Sequence, residues 1–133
     1  MDVVGTMFFK GKKLLIDKPK KRPTYQMIGG RVEENETPLE AAIRECHEEL
    51  GEKAIFDENL FELVMNFNEI ATSDGVTPIN FYVYKYNGDL TGEFTLSDEI
   101  DNHLWYDTSV NCELSNTLKN EVIPYAIKNN LIK

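Results

Sequence analysis

The sequence is poor in cysteine and has no long apolar run. Two cysteines, Cys46 and Cys112, occur in 133 residues. Two cysteines make a poor disulfide framework, and neither belongs to a CxxC pair, so a reducing, cytoplasmic location is expected. No stretch approaches the roughly 20 apolar residues that span a bilayer. The apolar segment 3–9 is short, has no basic lead-in and ends at Lys10. We therefore expect a strand there, with neither a signal peptide nor a membrane partner.

Basic residues are also scarce relative to acids. The chain has 14 Lys and Arg against 23 Asp and Glu, which gives a net charge of −9. Such a chain is repelled by long phosphate backbones, so binding to a nucleic-acid polymer is not expected. A small anionic substrate that brings its own cations remains compatible with this charge. The length is typical of one domain, and no repeat or linker is visible, so residues 1–133 are expected to form a single domain.

The order of predicted elements indicates a mixed sheet flanked by helices. A β-rich segment, 3–17, contains a turn signal at Gly11. Further strands are predicted at 60–70, 78–86 and 104–106, because these segments are rich in β-branched and aromatic residues. Helices are predicted at 37–50 and from Leu114 onward, with Pro124 interrupting the second. Strands alternating with helices in this way predict an α/β fold.

The predicted helix 37–50 has clear start and stop signals. Thr37 is the expected N-cap, Pro38 suits the first helical position, and Glu40 completes a capping box with Thr37. Gly51 is a natural C-terminal stop. One face carries apolar residues at helical spacing and is expected to be buried; these residues are Leu39, Ala42, Ile43, Cys46 and Leu50.

The same helix carries a stripe of acids. Glu45, Glu48, Glu49 and Glu52 follow an i, i+3, i+4, i+7 spacing and therefore share one face. Two like charges ~6 Å apart repel by about 0.7 kcal/mol in water and about 2.8 kcal/mol at an effective dielectric of about 20. A divalent cation would reverse that repulsion, and Mg²⁺ or Mn²⁺ prefers such carboxylate oxygens. The alternative is a solvated acidic face, since Arg44 can pair with Glu48.

The spacing of glycine, acids and arginine resembles the Nudix box, G-x5-E-x7-R-E-U-x-E-E-x-G-U, where U is aliphatic. All seven G, E and R positions match, and seven fixed residues are far more specific than a lone glycine motif. The matching residues are Gly30, Glu36, Arg44, Glu45, Glu48, Glu49 and Gly51. Cys46 stands at the first U, whereas Glu52 departs from the pattern at the last. Residues 25–30, YQMIGG, are similar to the family's W-x-x-P-G-G lead-in.

This resemblance implies the Nudix α/β/α sandwich, in which the box forms a loop, a helix and a loop. It assigns metal binding, to Mg²⁺ or Mn²⁺, to four residues: Gly29, through its carbonyl, Glu45, Glu48 and Glu49. Glu45 is alternatively the base that deprotonates water. Arg44 would orient the glutamates by charge-assisted hydrogen bonds. Glu36 would hold the loop, while Gly30 and Gly51 would have structural roles. Glu99, in a segment similar to one in MutT-like members, is a further candidate ligand or base.

The implied chemistry is metal-assisted hydrolysis of a diphosphate. Metal ions neutralise the diphosphate and lower the pKa of bound water, and a carboxylate assists proton removal. No nucleophilic side chain is needed, and Cys46, on the predicted buried face, is expected to be inert. Lys18, Lys20 and Arg22, in a basic loop with Lys21, are candidate phosphate contacts; the alternative is a solvated loop. His47 and His103 are expected at the surface, the latter in a loop.

Three functions remain open at this point. The first is a MutT-like (d)NTP pyrophosphohydrolase that releases NMP and pyrophosphate. The second is an ADP-ribose or nucleotide-sugar pyrophosphatase. The third is a non-catalytic nucleotide sensor, which is disfavoured because every acid of the box is present. A homodimer is possible for each of the three.

Overall fold

The computed structural model describes residues 1–71, 74–92, 94–95 and 97–133. The described strands are β1 Asp2–Met7, β2 Phe9–Lys10, β3 Lys13–Pro19, β4 Ile28–Arg31, β5 Ala54–Ile55, β6 Phe61–Ile70, β7 Pro78–Tyr86, β8 Thr91–Gly92 and β9 Ile100–Tyr106. The described α-helices are α1 Pro38–Leu50 and α2 Ile123–Lys128, and a π-helical turn, Leu118–Val122, runs directly into α2. A short 3-10 turn, Glu58–Leu60, precedes β6.

The main sheet is mixed, as the sequence predicts. It has four strands in the order β4-β1-β7-β6, in which β1 and β7 are parallel and the other pairs are antiparallel. A second sheet, β2-β3-β9, is antiparallel, and β5 pairs with β8. The pairing of Val4 with Gly30 and of Gly5 with Gly29 joins β1 to the strand that leads into the box.

Helix α1 begins and ends at the predicted residues. The Thr37 hydroxyl accepts from the Glu40 amide at 3.1 Å, and the Glu40 carboxylate accepts from the Thr37 amide at 2.9 Å, which confirms the capping box. At the other end, Gly51 adopts a φ of +88°, a conformation that L side chains rarely adopt, and its amide donates to the His47 carbonyl at 3.0 Å. Both ends of the helix are thereby fixed.

The two faces of the main sheet pack against different helices. On one face, Val4 and Tyr84 contact Ala41 and Ala42 of α1. On the other face, Phe81 and Val83 of β7 form a cluster with the C-terminal helical segment through Leu118, Val122 and Ala126. Because alternate residues of a strand point to opposite faces, one strand serves both clusters. The result is the predicted sandwich of a sheet between helices.

The C-terminal helix and the last strand differ from the predictions. Helical structure starts at Asn116 and not at Leu114, because Leu114 forms a β-bridge with Tyr25. Pro124 lies where the π-helical turn passes into α2, and it has no N–H to donate to the preceding turn, so the regular helical bonding is interrupted there, as predicted. Strand β9 begins at Ile100, so His103 is in a strand and the predicted loop is wrong.

Both cysteines are free thiols, Cys46 buried and Cys112 partly exposed. Burial raises the pKa of the Cys46 thiol far above its ordinary value, which makes this cysteine a poor nucleophile. Within the part of the chain that the structure describes, every helix is too short or too polar to cross a bilayer.

Candidate active site

A cavity of about 390 Å³ brings the end of α1 together with several strands. Asp17 of β3, Gly29 and Gly30 of β4, and Glu49 of α1 line one part of it. Apolar side chains such as Phe81 and basic residues also contribute to the wall; the basic ones are Lys21, Arg22 and Arg31. The volume and the mixture of apolar and converging polar groups are typical of a small-molecule site.

Arg44 organises the acids on the outer side of the helix. Its Nε lies 2.8 Å from Glu36 Oε2 and its Nη2 lies 3.0 Å from Glu36 Oε1, a bidentate pair. Its Nη1 donates to Glu45 Oε1 at 3.0 Å and to both oxygens of Glu48 at 3.2 Å. These bonds from Arg44, with one from the Glu33 amide, lower the pKa of Glu36 to about 2. The same contacts raise the pKa of Arg44 above its usual range. Glu36 is therefore ionised, and Arg44 pairs with the outer acids together.

Arg44 also fixes the loop ahead of the helix. Its Nη2 donates to the backbone carbonyl of Arg31 at 2.9 Å, and the Glu33 amide donates to Glu36 Oε1 at 2.9 Å. The planar guanidinium thus joins the end of β4 to α1 through fixed donors.

Asp17 and Glu49, on the inner side, make no bond to Arg44, and Glu45 shares that arginine with the outer acids. Burial, followed by the charge of Asp17, raises the pKa of Glu49 well above its ordinary value, although the Gly29 amide donates to Glu49 Oε2 at 3.0 Å. Burial likewise raises the pKa of Asp17 to about 7. Burial and the charge of Glu48 raise the pKa of Glu45, against the effect of its bond to Arg44. Burial, reinforced by repulsion, therefore dominates here, whereas pairing dominates on the outer side.

Asp17 is the site residue that sequence reasoning missed. It is 0% exposed, and neither of its carboxylate oxygens accepts a hydrogen bond from a donor in the described part of the chain. It contacts the Glu49 carboxyl, and two carboxyls can hydrogen-bond to each other only when one holds a proton. A signal was present: Asp17 directly follows the buried run Leu14–Ile16 and has a charge where a core strand continues.

His103 lies beside these acids, and its predicted surface position is wrong. Its Nε2 is 3.1 Å from the backbone carbonyl oxygen of Glu49, which can only accept, so Nε2 carries the proton. Burial lowers the pKa of His103, so the ring is neutral at physiological pH. His103 thereby satisfies a carbonyl in the last turn of α1, directly behind Glu49. His47 is exposed, as predicted.

Gly29, in the lead-in, and Gly30, the first residue of the box, approach their neighbours too closely to have side chains. A Cβ on Gly29 would lie 1.9 Å from the Val4 carbonyl oxygen, and a Cβ on Gly30 would lie 2.4 Å from Glu45 Oε1. The first contact involves backbone that cannot move aside, whereas the second involves the end of a flexible side chain. Gly30 thus leaves room for the Glu45 carboxylate.

The other predicted site residues are spread more widely. The Glu48 side chain is 57% exposed on the outer side. Glu99 is exposed and lines the cavity. Arg22 also lines it, whereas Lys18 and Lys20 are not among the described residues of its wall. Lys18 Nζ instead pairs with Asp101 Oδ2 at 3.2 Å. Across residues 1–71, 74–92, 94–95 and 97–133, no three His, Cys, Asp or Glu side chains are already arranged to hold a metal ion.

The family model and the solved structures that match this chain agree with each other. The family model for the NUDIX domain matches residues 1–122. A search of curated protein sequences gave no match. Among solved structures, a MutT NUDIX hydrolase from Burkholderia pseudomallei superposes with a TM-score of 0.74 at 21% identity, covering 89% of this chain and 92% of that one.

Two further structures share the fold but belong to longer chains. A UDP-X diphosphatase superposes with a TM-score of 0.75 at 17% identity, covering 98% of this chain and 63% of its own. A bifunctional NMN adenylyltransferase/ADP ribose pyrophosphatase from Francisella tularensis, complexed with AMP and a manganese ion, gives a TM-score of 0.66 at 18% identity. That match covers 96% of this chain and 41% of the other.

Proposed function

The chain belongs to the NUDIX family of hydrolases, which act on pyrophosphate bonds, and we propose that it uses Mg²⁺ or Mn²⁺ to hydrolyse a diphosphate linkage in a nucleotide. One observation carries this proposal: Glu49 lines the cavity, the Glu45 carboxylate lies next to Gly30 of its wall, and among the described residues the two acids have no cationic partner equal to their charge. The basic side chains of the same cavity suit a phosphate-bearing substrate.

The residues present fit a hard divalent cation. The candidate donors are all oxygens, which Mg²⁺ and Mn²⁺ prefer. Burial and mutual repulsion raise the pKa values of Glu45 and Glu49, so a nearby positive charge would stabilise both. Glu45, Glu48, Glu49 and the carbonyl of Gly29 are the residues proposed to hold it. When bound, such a cation offsets the charge of the diphosphate and acidifies a water molecule.

The remaining steps belong to side chains of this chain. Glu45 is the proposed base for the attacking water, and Glu99, on the cavity wall, is the alternative. Arg44 positions Glu45 and Glu48 by direct hydrogen bonds. Arg22 is the best placed of the three predicted phosphate contacts, because it lines the cavity, and Lys21 lies there with it. Lys18 and Lys20 stay predictions.

The proposed substrate is a (d)NTP, cleaved to NMP and pyrophosphate. The similarity to the MutT structure over 92% of that chain supports it, because little of that protein lies outside the shared fold. The second candidate is an ADP-ribose or nucleotide-sugar pyrophosphatase, favoured by the UDP-X diphosphatase and ADP ribose pyrophosphatase neighbours. We further propose a single domain over 1–133 in a reducing cytoplasm; a homodimer stays open.

A substrate and metal screen tests the proposed function. Purified protein is incubated with the four dNTPs, ADP-ribose and UDP-glucose, with Mg²⁺, with Mn²⁺ or with EDTA, and the products are separated by ion-exchange chromatography. We expect NMP and pyrophosphate from a dNTP, no turnover in EDTA and recovery on adding metal. Full activity in metal-free protein would exclude the mechanism, and nucleotide binding without turnover would identify a sensor.

Base and ligand roles are separated by three variants. Glu49→Gln should weaken metal binding and slow turnover together, because it removes a charged ligand. Glu45→Gln should lower kcat by roughly a hundredfold to ten-thousandfold at saturating Mg²⁺ if Glu45 is the base. If added Mg²⁺ restores Glu45→Gln, Glu45 is a ligand and Glu99→Gln should show the loss in kcat. Glu52→Gln, on the same stripe but outside the box acids, is the matched control. Wild-type turnover in all three variants would rule out this site.

A further inference from the structure

Asp17 is a buried acid outside the box, and the proposed function gives it no role. Its side chain is 0% exposed and lines the cavity beside Glu49. Burying a carboxylate without a hydrogen-bond donor or a counter-charge costs on the order of several kcal/mol. The fold nevertheless places Asp17 where a second buried carboxyl makes the cost larger.

The backbone holds Asp17 in this position from both sides. Its amide donates to the Gln26 carbonyl at 3.1 Å, and the Gln26 amide donates to the Asp17 carbonyl at 2.7 Å. On the other side of β3, Asp17 pairs with His103, whose ring contacts the Glu49 carbonyl. The direction of the Asp17 side chain from β3 is therefore fixed by strand pairing on both sides.

Lys18, which follows Asp17 in the sequence, does not neutralise the Asp17 carboxylate. Lys18 points to the opposite face of β3, as strand geometry requires, and its Nζ pairs with Asp101. Glu36 makes the contrast clear, because it is an acid of the same site that receives a bidentate bond from Arg44. Both oxygens of Asp17 lack any such donor among the described residues.

We propose that Asp17 is an additional carboxylate ligand of the divalent cation, which it shares with Glu49. The inference rests on the cation site of the proposed function, and it adds a ligand from β3 to those of the box. Asp17 supplies these oxygens from a strand whose backbone is paired on both sides. Bound cation would then link β3 to the last turn of α1.

A proton shared between Asp17 and Glu49 is the competing explanation. In that case the pair is a structural contact, and it would tolerate an amide in place of one carboxyl, since Asn can donate the bond that the proton supplies. Asp17→Asn therefore separates the two roles. A structural pair keeps its metal affinity in this variant, whereas a ligand loses one charged oxygen donor.

The test measures Mn²⁺ affinity by calorimetry and Tm in EDTA and in Mn²⁺, for wild type, Asp17→Asn and Asp2→Asn. Asp2, exposed on β1, is not among the residues that line the cavity and gives the same change in net charge. We expect Asp17→Asn to raise Kd for Mn²⁺ by at least about tenfold, to shrink the metal-induced rise in Tm, and to leave Tm in EDTA unchanged or higher. Asp2→Asn should match wild type.

The outcomes distinguish this inference from the proposed function. If wild type binds Mn²⁺ and Asp17→Asn binds it equally well, Asp17 is not a ligand, while the metal-dependent hydrolase stands. If wild type binds no Mn²⁺, both proposals fail.

A second measurement uses wild type alone, in case the variant does not fold. In protein with ¹³C-labelled aspartate and glutamate, the Asp17 Cγ resonance should shift during a Mg²⁺ titration with the same midpoint as the Glu49 Cδ resonance. An Asp17 resonance that does not move while Glu49 shifts would overturn the inference.

Discussion

Two groups of acids, one on each side of α1, are in opposite electrostatic states. The outer cluster is Glu36, Arg44 and Glu48; the inner cluster is Asp17, Glu45 and Glu49. In the outer cluster, the guanidinium lowers the pKa of Glu36 to about 2. In the inner cluster, burial raises the pKa of Asp17 to about 7. The acids of the outer cluster are paired with Arg44, whereas the inner cluster has excess negative charge.

The difference teaches how a single helix can both hold a loop and present a reactive site. The outer cluster is already paired before a cation binds, because each of its acids bonds to Arg44; Glu48, 57% exposed, stays accessible to a cation. The inner cluster is unfavourable by itself, and its stability depends on what enters the cavity. Glu45 connects the clusters, since it bonds to Arg44 and also repels its inner neighbours. Three experiments test this division.

The largest effect is expected from Gly30→Ala, which displaces Glu45 and its bond to Arg44 but leaves the bidentate pair of Arg44 with Glu36 in place. The new Cβ would lie 2.4 Å from Glu45 Oε1, so the Glu45 carboxylate must move. Because displacement of a reacting group by about 1 Å can cost about a hundredfold in rate, kcat should fall by up to about that factor while Tm stays close to wild type. Activity and thermal melting are measured on the same preparation.

Gly29→Ala is the matched control for that variant. Here the Cβ would lie 1.9 Å from the Val4 carbonyl oxygen. The pairing of β1 with β4 must therefore be distorted, and Tm should drop. If Gly30→Ala also lowers Tm strongly, the space at Gly30 serves the fold and not Glu45.

Next in size is Arg44→Lys, which breaks the outer cluster while keeping its charge. Lysine cannot reproduce the planar fork that binds both oxygens of Glu36 and also reaches Glu45. We expect a loss of about tenfold to a hundredfold in kcat/KM and a lower Tm. Arg31→Lys is the control for Tm, because Arg44 contacts only the backbone carbonyl of Arg31. Normal activity in Arg44→Lys would make the outer cluster a surface feature.

The smallest effect is a pH dependence of stability with opposite signs in the two clusters, measured by urea unfolding in EDTA. Asp17 has a folded pKa raised from 3.8 to about 7, so its contribution is present at low pH and is lost as pH rises through 7. Glu36 has a folded pKa lowered from 4.5 to about 2, so its contribution is lost as pH falls from 4.5 towards 2.

Stability in EDTA should therefore rise as pH falls from 8 to about 5 and decline below about 4.5. Asp17→Asn should flatten the neutral part of the curve and Glu36→Gln the acidic part. A variant that flattens the wrong part would contradict the division into two clusters.

The sequence was sufficient to predict those site residues that lie close together in the chain. The box residues fall on one helix with fixed ends, so the capping box at Thr37 and the stop at Gly51 could be read directly. Asp17 and His103 could not be placed, because their contact with Glu49 depends on the pairing of β3 with β9, which joins segments far apart in the chain. Leu114 was mistaken for helix because its apolar spacing is helical, whereas its bridge to Tyr25 depends on tertiary structure.

The single tryptophan gives the molecule a built-in optical reporter. Trp105 is the one tryptophan of the sequence, and it pairs with Leu15, two residues before Asp17 on β3. Its partly buried ring packs on the cluster that contains Cys46 and Leu50 of α1. Since indole emission responds to the polarity around the ring, a change in the docking of α1 on β3 should shift the fluorescence. Stopped-flow mixing of unlabelled protein with cation or nucleotide could then time that change.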